Sequence, residues 1–328
     1  MEAVKNETEI NGMRRAYLRD SASFVRFIAW LEGKLSEGYD ITEYEAAFRL
    51  SEYRRTNKYF IGLAYETVSA SGPNTTLPRY SVTKSTAAMI DRDAPYLNDS
   101  GGWYKDGVCG TARTWSFGRP TPDHCKAYTQ VLQRHIAIDS AIFPEGTSGH
   151  QLDILAGKGP WQDGVDCGPE TGYDIGCLKM HEGPHSFSNN ITLVPGHVIT
   201  NEPCLCKYLL VYFEGSRQSI SLDFPGKFGI RIKSALTVRR IKVRPEFDDD
   251  HWLAFERLTW VPIQTKMIKG GILSKDEKQW VKDHNRQCLE LLQPYLRDDK
   301  RALKWLNREA GGLGISLTSP GGISIGRG

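Results

Sequence analysis

The spacing of apolar residues predicts helices at both ends of the chain and in its middle. Over residues 9–35, apolar side chains recur every three or four positions, which is the period of an amphipathic helix. The same spacing predicts further helices at about residues 42–57, 122–142, 274–292 and 301–309, and a short one at 148–156. Most of the chain between these helices follows a different pattern.

Runs that alternate between apolar and polar residues, or that stay apolar over a few positions, predict strands. They lie at 59–70, at the end of 91–100, and at 107–117, 191–193, 197–200, 208–213, 228–243 and 251–261. Gly101 and Gly102 predict a turn between the second and third of these runs. We therefore expect Asp99 and the region of Gly110 to face each other across a hairpin.

Local signals indicate where several helices begin. Capping-box patterns, in which Ser or Thr is followed three residues later by Glu or Gln, occur at Thr42, Ser148 and Ser274. Pro122 suits the first position of a helix, because the N–H that it lacks would have no partner there.

Helices first and last, with antiparallel strands between them, are typical of an α+β protein. Neither a repeat nor a clear linker divides the chain, so we expect a single domain over residues 1–313 that includes a helical segment at about 272–309. Residues 314–328 are rich in glycine and serine, and they are expected to form a disordered tail.

Charge and cysteine content narrow the range of partners. The 328 residues carry a net charge of +3, which gives no case for binding nucleic acid or a membrane surface. The polar start lacks the apolar core of a secretory signal, and the apolar runs are too short to cross a bilayer. The seven cysteines follow no disulfide spacing. We therefore predict a soluble, cytoplasmic protein with free thiols.

Seven dispersed motifs resemble, in order, those of the cytosolic aminopeptidase P family. They are EINGMR at Glu9, DSGGWYKDG at Asp99, FPEGTSGHQLD at Phe143, HEGP at His181, NEP at Asn201, GIRI at Gly229 and LTWVPIQ at Leu258. Members of this family are metallopeptidases that release an amino-terminal residue preceding proline. The resemblance implies the pita-bread fold, in which curved antiparallel sheets are flanked by helices.

The family holds two divalent ions with five carboxylate or imidazole ligands, and the resemblance places them at five positions here. Asp99 and Glu202 keep a ligand residue, whereas the other three positions carry Gly110, Tyr173 and Lys233. Glycine offers no donor, a phenol is a poor divalent ligand near neutral pH, and an ammonium repels cations. We therefore expect no metal or other cofactor, with a single residual manganese or zinc ion as the alternative.

Other positions of the family's pocket are partly retained. His181 of HEGP and Arg231 of GIRI are present, and their family counterparts contact the substrate or its transition state. Arg79 stands where the family has a histidine. Lys233 would offset the charges of Asp99 and Glu202, because burying unpaired carboxylates is costly.

These features lead us to predict a metal-independent acid/base enzyme for a small amino-acid-derived or amide substrate, acting as an isomerase, cyclase, lyase or hydrolase. His181 would move a proton, while Lys233 and Tyr173 would stabilise developing negative charge. Substrate binding is assigned to Arg79, Asp99, Glu202 and Arg231.

Two alternatives stay open. In the first, an inactive pita-bread domain binds a peptide or a partner in the old cavity. In the second, a residual metal-dependent Xaa-Pro aminopeptidase uses one ion at Asp99 and Glu202. The expected partner is a small-molecule or peptide-like substrate, with neither nucleic acid nor membrane, and a homodimer is compatible with the sequence.

Overall fold

The computed structural model describes residues 3–77, 80–162, 171–177, 180, 186–187, 189–207, 227–242 and 251–312. The predicted helices at the start, the middle and the end of the chain are confirmed. Their bounds are α1 (Glu7–Ser36), α2 (Glu43–Arg55), α3 (Pro122–Asp139), α4 (Gly149–Gln162), α5 (Lys275–Leu292) and α6 (Lys300–Gly311). Among the described residues, no helix combines the length and the apolar character needed to cross a bilayer.

Side-chain caps explain where these helices begin. In α2 the Thr42 hydroxyl accepts from the Glu45 amide at 3.1 Å, while the Glu45 carboxylate accepts from the Thr42 amide at 2.8 Å. The predicted capping box at Ser274 is also present, and Pro122 is the first residue of α3. The helix α4 continues beyond its expected end at Ala156, through Gly157, Gly159 and Pro160, to Gln162.

The described strands form four antiparallel sheets, in the orders β1-β4-β5, β2-β3-β6, β9-β10 and β7-β12-β11-β8. Their bounds are β1 (Phe60–Leu63), β2 (Val68–Ser71), β3 (Tyr96–Ser100), β4 (Gly102–Tyr104), β5 (Gly107–Val108), β6 (Thr111–Trp115), β7 (Ile142–Pro144), β8 (Val198–Asn201), β9 (Cys204–Lys207), β10 (Phe228–Arg231), β11 (Ser234–Ile241) and β12 (Trp252–Arg257).

Three long runs that we predicted as single strands are each divided between two sheets, so those predictions were wrong. Residues 59–70 form β1 and β2, residues 107–117 form β5 and β6, and residues 228–243 include β10 and β11. Curved sheets that pack at an angle are joined where a strand bends and passes from one sheet to the next. We call these connections, together with the one between β8 and β9, the sheet crossings.

Two shorter strand predictions also differ from the structure or lie outside it. Residues 191–193 form no strand, although Thr192 makes an isolated bridge with Ser148. The run at 208–213 lies outside the described residues. In the predicted hairpin, Asp99 is paired with Ala112, which places it near Gly110 as expected.

The largest apolar core lies along α1. Phe24, Phe27 and Leu31 of α1 are fully buried, and they belong to one cluster with Leu292 and Leu306 near the carboxyl end. Burial of this shared surface attaches α5 and α6 to α1. The single domain over residues 1–313 stays a prediction, and the tail at 314–328 lies outside the described residues.

Candidate functional site

The sheet crossings place charged side chains in one cluster. Glu202 lies where the chain passes from β8 to β9, and Lys233 lies where it passes from β10 to β11. Lys233 and Ala112 of β6 form a backbone bridge, in which the Lys233 amide donates to the Ala112 carbonyl at 2.9 Å. Because Ala112 also pairs with Asp99 of β3, the bridge brings Lys233 beside Asp99.

Asp99 is held by three groups. Its Oδ2 accepts from Nη1 of Arg231 at 2.7 Å, and its Oδ1 accepts from the Tyr65 hydroxyl at 2.7 Å. Nζ of Lys233 lies 3.5 Å from the same Oδ1. Burial raises the pKa of Asp99, but the positive charges of Lys233 and Arg231 outweigh it, and the pKa is lowered. The carboxylate therefore stays ionised at neutral pH.

Lys233 lies between the two retained carboxylates. Its Nζ is 3.2 Å from Oε2 of Glu202 and 5.0 Å from the centre of the Tyr65 ring. Burial lowers the pKa of Lys233, but the nearby charges of Asp99 and Glu202 outweigh it, and the pKa is raised. With Arg231, the cluster holds two cations and two anions, so the charge compensation expected for Lys233 is present.

Tyr173 lies beside this cluster and is joined to it through Thr200. The Tyr173 amide donates to Oγ1 of Thr200 at 2.7 Å, and the Tyr173 carbonyl accepts from the Thr200 amide at 2.7 Å. The Thr200 hydroxyl in turn lies 3.1 Å from Oε1 of Glu202. The Tyr173 side chain is 37% exposed. His181 and Arg79 lie outside the described residues, so their predicted roles stay predictions.

Two residues that the sequence analysis missed fill the space around Gly110. A Cβ added at Gly110 would lie 2.2 Å from Cε of Met180 and 3.4 Å from the Tyr65 hydroxyl. Burial and the charge of Asp99 raise the pKa of Tyr65 well above its usual value, so the hydroxyl stays protonated and donates. Met180 directly precedes the HEGP motif, which was the available signal. Tyr65 lies at a sheet crossing inside one apolar run, and no motif marked it.

Two family models together match most of this chain. The model of metallopeptidase family M24 matches residues 11–240, and that of the C-terminal region of peptidase M24 matches residues 251–313. The chain belongs to metallopeptidase family M24. The residues matched by the first model include the whole cluster described above, Asp99, Glu202, Arg231 and Lys233.

Fungal proteins are similar to nearly the whole of this chain. A probable Xaa-Pro aminopeptidase P of Coprinopsis cinerea is 40% identical over 94% of this chain and 48% of its own length. One of Laccaria bicolor is 39% identical over 95% of this chain and 47% of its own length. The chain therefore spans about half the length of the curated relatives it matches.

Two solved aminopeptidase structures have a similar fold. The X-prolyl aminopeptidase of Caenorhabditis elegans, described as a cytosolic enzyme with a di-nuclear active site, has a TM-score of 0.84 at 30% identity and covers 94% of this chain and 48% of its own. The X-Pro aminopeptidase of Thermotoga maritima has a TM-score of 0.60 at 25% identity. The match covers 80% of this chain and 64% of the Thermotoga chain. The resemblance to aminopeptidase P and the α+β pita-bread fold are thereby confirmed.

These comparisons contradict two predictions. We predicted a metal-independent acid/base enzyme, and we expected no cofactor. The M24 family is one of metallopeptidases, the fungal relatives are named Xaa-Pro aminopeptidases, and the worm structure has a di-nuclear site. The replacement of ligand residues does not by itself show that a protein of this family catalyses a different reaction. Neither a fold nor a few altered positions identify a substrate. The comparisons therefore give no support to a metal-independent reaction.

The described side chains do not fit a pair of divalent ions in this arrangement. Such ions need several oxygen or imidazole ligands, whereas Asp99 and Glu202 already pair with Arg231 and Lys233. Across the described part of the chain, no group of three or more His, Cys, Asp or Glu side chains could hold a metal ion. At Gly110, Met180 fills the space that a ligand would need. This arrangement therefore supports no catalytic step through a metal ion.

Proposed function

We propose that this protein binds peptides whose second residue is proline and acts on them as a Xaa-Pro aminopeptidase of reduced turnover. The observation that carries the proposal is the chain's membership of family M24, with relatives at about 40% identity that are named for this activity. Asp99 and Glu202, which resemble two of the family's ligands, lie in one cluster and support the same assignment.

Lys233 is the residue that reduces turnover on this proposal. Its ammonium lies 3.2 Å from Glu202 and 3.5 Å from Asp99, and its raised pKa keeps it charged at neutral pH. A fixed positive charge at this position repels a divalent ion from the carboxylate oxygens. Asp99 and Glu202 therefore become free to act as ligands only when Lys233 moves away or is replaced.

The test is Lys233→Glu, which replaces the ammonium with a carboxylate, one of the ligand types of the family that the sequence resembles. We expect manganese to bind the variant more tightly than the wild type, and release of the first residue from a Xaa-Pro tripeptide to rise by at least about tenfold. Elemental analysis after dialysis and a cleavage assay measure the two effects. Lys275→Glu, an identical charge change on an exposed residue at the start of α5, is the matched control and should change neither.

One observation favours a second candidate, in which the protein binds the peptide without cleaving it. The cluster is already neutral, because its two carboxylates are paired with Arg231 and Lys233. Calorimetric titration with a Xaa-Pro peptide distinguishes the two. Binding by the wild type and by Lys233→Glu, with no cleavage by either in the presence of manganese, would contradict the aminopeptidase proposal and support the second candidate.

The remaining parts of the proposal concern location and roles. We propose a cytoplasmic location, supported by the description of the worm aminopeptidase as cytosolic. The roles of His181, Arg79, Tyr173 and Arg231 in peptide handling stay predictions. So do the absence of nucleic-acid and membrane partners and the formation of a homodimer.

A further inference from the structure

We propose that Lys5, near the start of the chain, is a positioning residue for the Glu202 side of the cluster. Its Nζ lies 3.5 Å from Oδ1 of Asp174, and both side chains are only 1% exposed. Asp174 directly follows Tyr173. The pair therefore joins the first residues of the chain to the segment that carries a candidate site residue.

A continuous series of contacts leads from this ion pair to the cluster. Asp174 forms a backbone bridge with Ile199 of β8, and this fixes the segment 171–175 alongside that strand. Tyr173, the residue before, exchanges backbone and hydroxyl hydrogen bonds with Thr200. Thr200 contacts Oε1 of Glu202 at 3.1 Å, while Oε2 of Glu202 lies 3.2 Å from Lys233. A displacement of Asp174 therefore reaches Glu202 through a single intermediate side chain.

The backbone of Lys5 is held by the residues that lead into β8. Its amide donates to the Gly196 carbonyl at 2.9 Å, and the preceding residue Val4 forms a bridge with His197. Gly196 has a φ of +92°, and a Cβ there would lie 2.6 Å from the Lys5 carbonyl oxygen, so only glycine permits this approach. Lys5 thus connects the chain entering β8 to the segment that lies along β8.

Stability alone does not account for an ion pair at this position. Removing two charges from water is costly, and apolar residues of similar size often stabilise a fold as well or better. The pair also fixes the orientation of the Lys5 side chain, because its Nζ donates to the Ala3 carbonyl at 3.0 Å as well. We infer that it sets the register of residues 171–175 on β8, and with it the orientation of Glu202.

The experiment compares Lys5→Met with Lys5→Arg, which keeps the charge, and with the neutral double variant Lys5→Met/Asp174→Asn. Hydrogen exchange measured by mass spectrometry reports on residues 198–202, with β12 as the internal reference. We expect exchange at 198–202 to rise by about tenfold in Lys5→Met and in the double variant, with β12 unchanged, and to stay near the wild-type value in Lys5→Arg. Lys34→Met, which breaks the exposed pair with Glu37, is the matched control.

The peptide measurement rests on the proposed function, whereas the exchange measurement does not. If the wild type binds a Xaa-Pro tripeptide, Lys5→Met should raise its KM by about threefold or more while kcat changes less. Unchanged exchange at 198–202, or an equal rise in β12, overturns the positioning role. The double variant gives this answer even where Lys5→Met alone does not fold. Absence of any peptide binding by the wild type would count against the proposed function only.

Discussion

Two buried ion clusters lie on opposite faces of β3, and they are built differently. On one face, Ser100 contacts Arg54, which pairs with Asp20 through two hydrogen bonds of 2.9 and 3.0 Å. On the other face, Asp99 lies with Arg231, Lys233 and Glu202. Successive residues of a strand point to opposite sides, so adjacent positions in one strand supply both clusters.

The difference lies in how completely the charges are satisfied. Asp20 also accepts from the Gly102 amide at 3.1 Å and the Tyr104 hydroxyl at 2.9 Å, and the Asp20 and Arg54 side chains are almost fully buried. Lys233 instead reaches its carboxylates at 3.2 and 3.5 Å as a single point charge, without the planar fork of arginine. The saturated pair holds the fold together. In the looser cluster, Lys233 contacts each carboxylate through a single nitrogen atom, so fewer bonds fix its charge in place.

The largest predicted effect follows from removing one cation of each cluster. Arg54→Met leaves Asp20 buried without its counterion, and we expect the free energy of unfolding to fall by about 3–5 kcal/mol. Lys233→Met should cost only about 1–2 kcal/mol, because Arg231 still pairs with Asp99 and the Glu202 side chain is partly exposed to solvent. Urea denaturation of both variants measures the difference. Equal losses would refute the contrast between a saturated and a loose cluster.

A smaller difference is expected from removing one hydroxyl on each face. Tyr104→Phe removes a donor to Asp20, and Tyr65→Phe removes a donor to Asp99. We expect losses of about 2 and about 1 kcal/mol, respectively, because Asp99 keeps two cations while Asp20 keeps one. The same denaturation assay applies. A larger loss for Tyr65→Phe would mean that Tyr65, rather than Lys233, holds Asp99 in place.

The smallest effect is a pH dependence of the looser cluster. The raised pKa of Lys233 means that its pairing stabilises the fold fully below the unfolded pKa of lysine, about 10.4, and that this contribution is lost as pH rises through the folded pKa. The stability difference between wild type and Lys233→Met should therefore be constant from about pH 6 to 9 and shrink above about 10.4. Denaturation curves across this range test it, and a difference that grows at high pH would contradict it.

Local spacing and capping signals were sufficient to predict the helices. The dispersed motifs were sufficient to predict the fold and to select Asp99, Glu202 and Lys233 as site positions. The sheet crossings could not be predicted, because the break between β10 and β11 depends on how distant strands curve and pair rather than on residues near the break. Tyr65 escaped notice for the same reason. The Lys5–Asp174 pair joins residues far apart in a chain with many lysines and aspartates, so no spacing in the sequence selects it.

The bridge between Ala112 and Lys233 has a consequence for how such a cavity changes over evolutionary time. Both of its hydrogen bonds are made by backbone atoms, so they persist whichever side chain stands at position 233. A replacement there alters the charge of the cavity without removing a hydrogen bond from a sheet. A change of charge at position 233 therefore costs side-chain pairing, about 1–2 kcal/mol for Lys233→Met, while the backbone frame of the sheets stays in place.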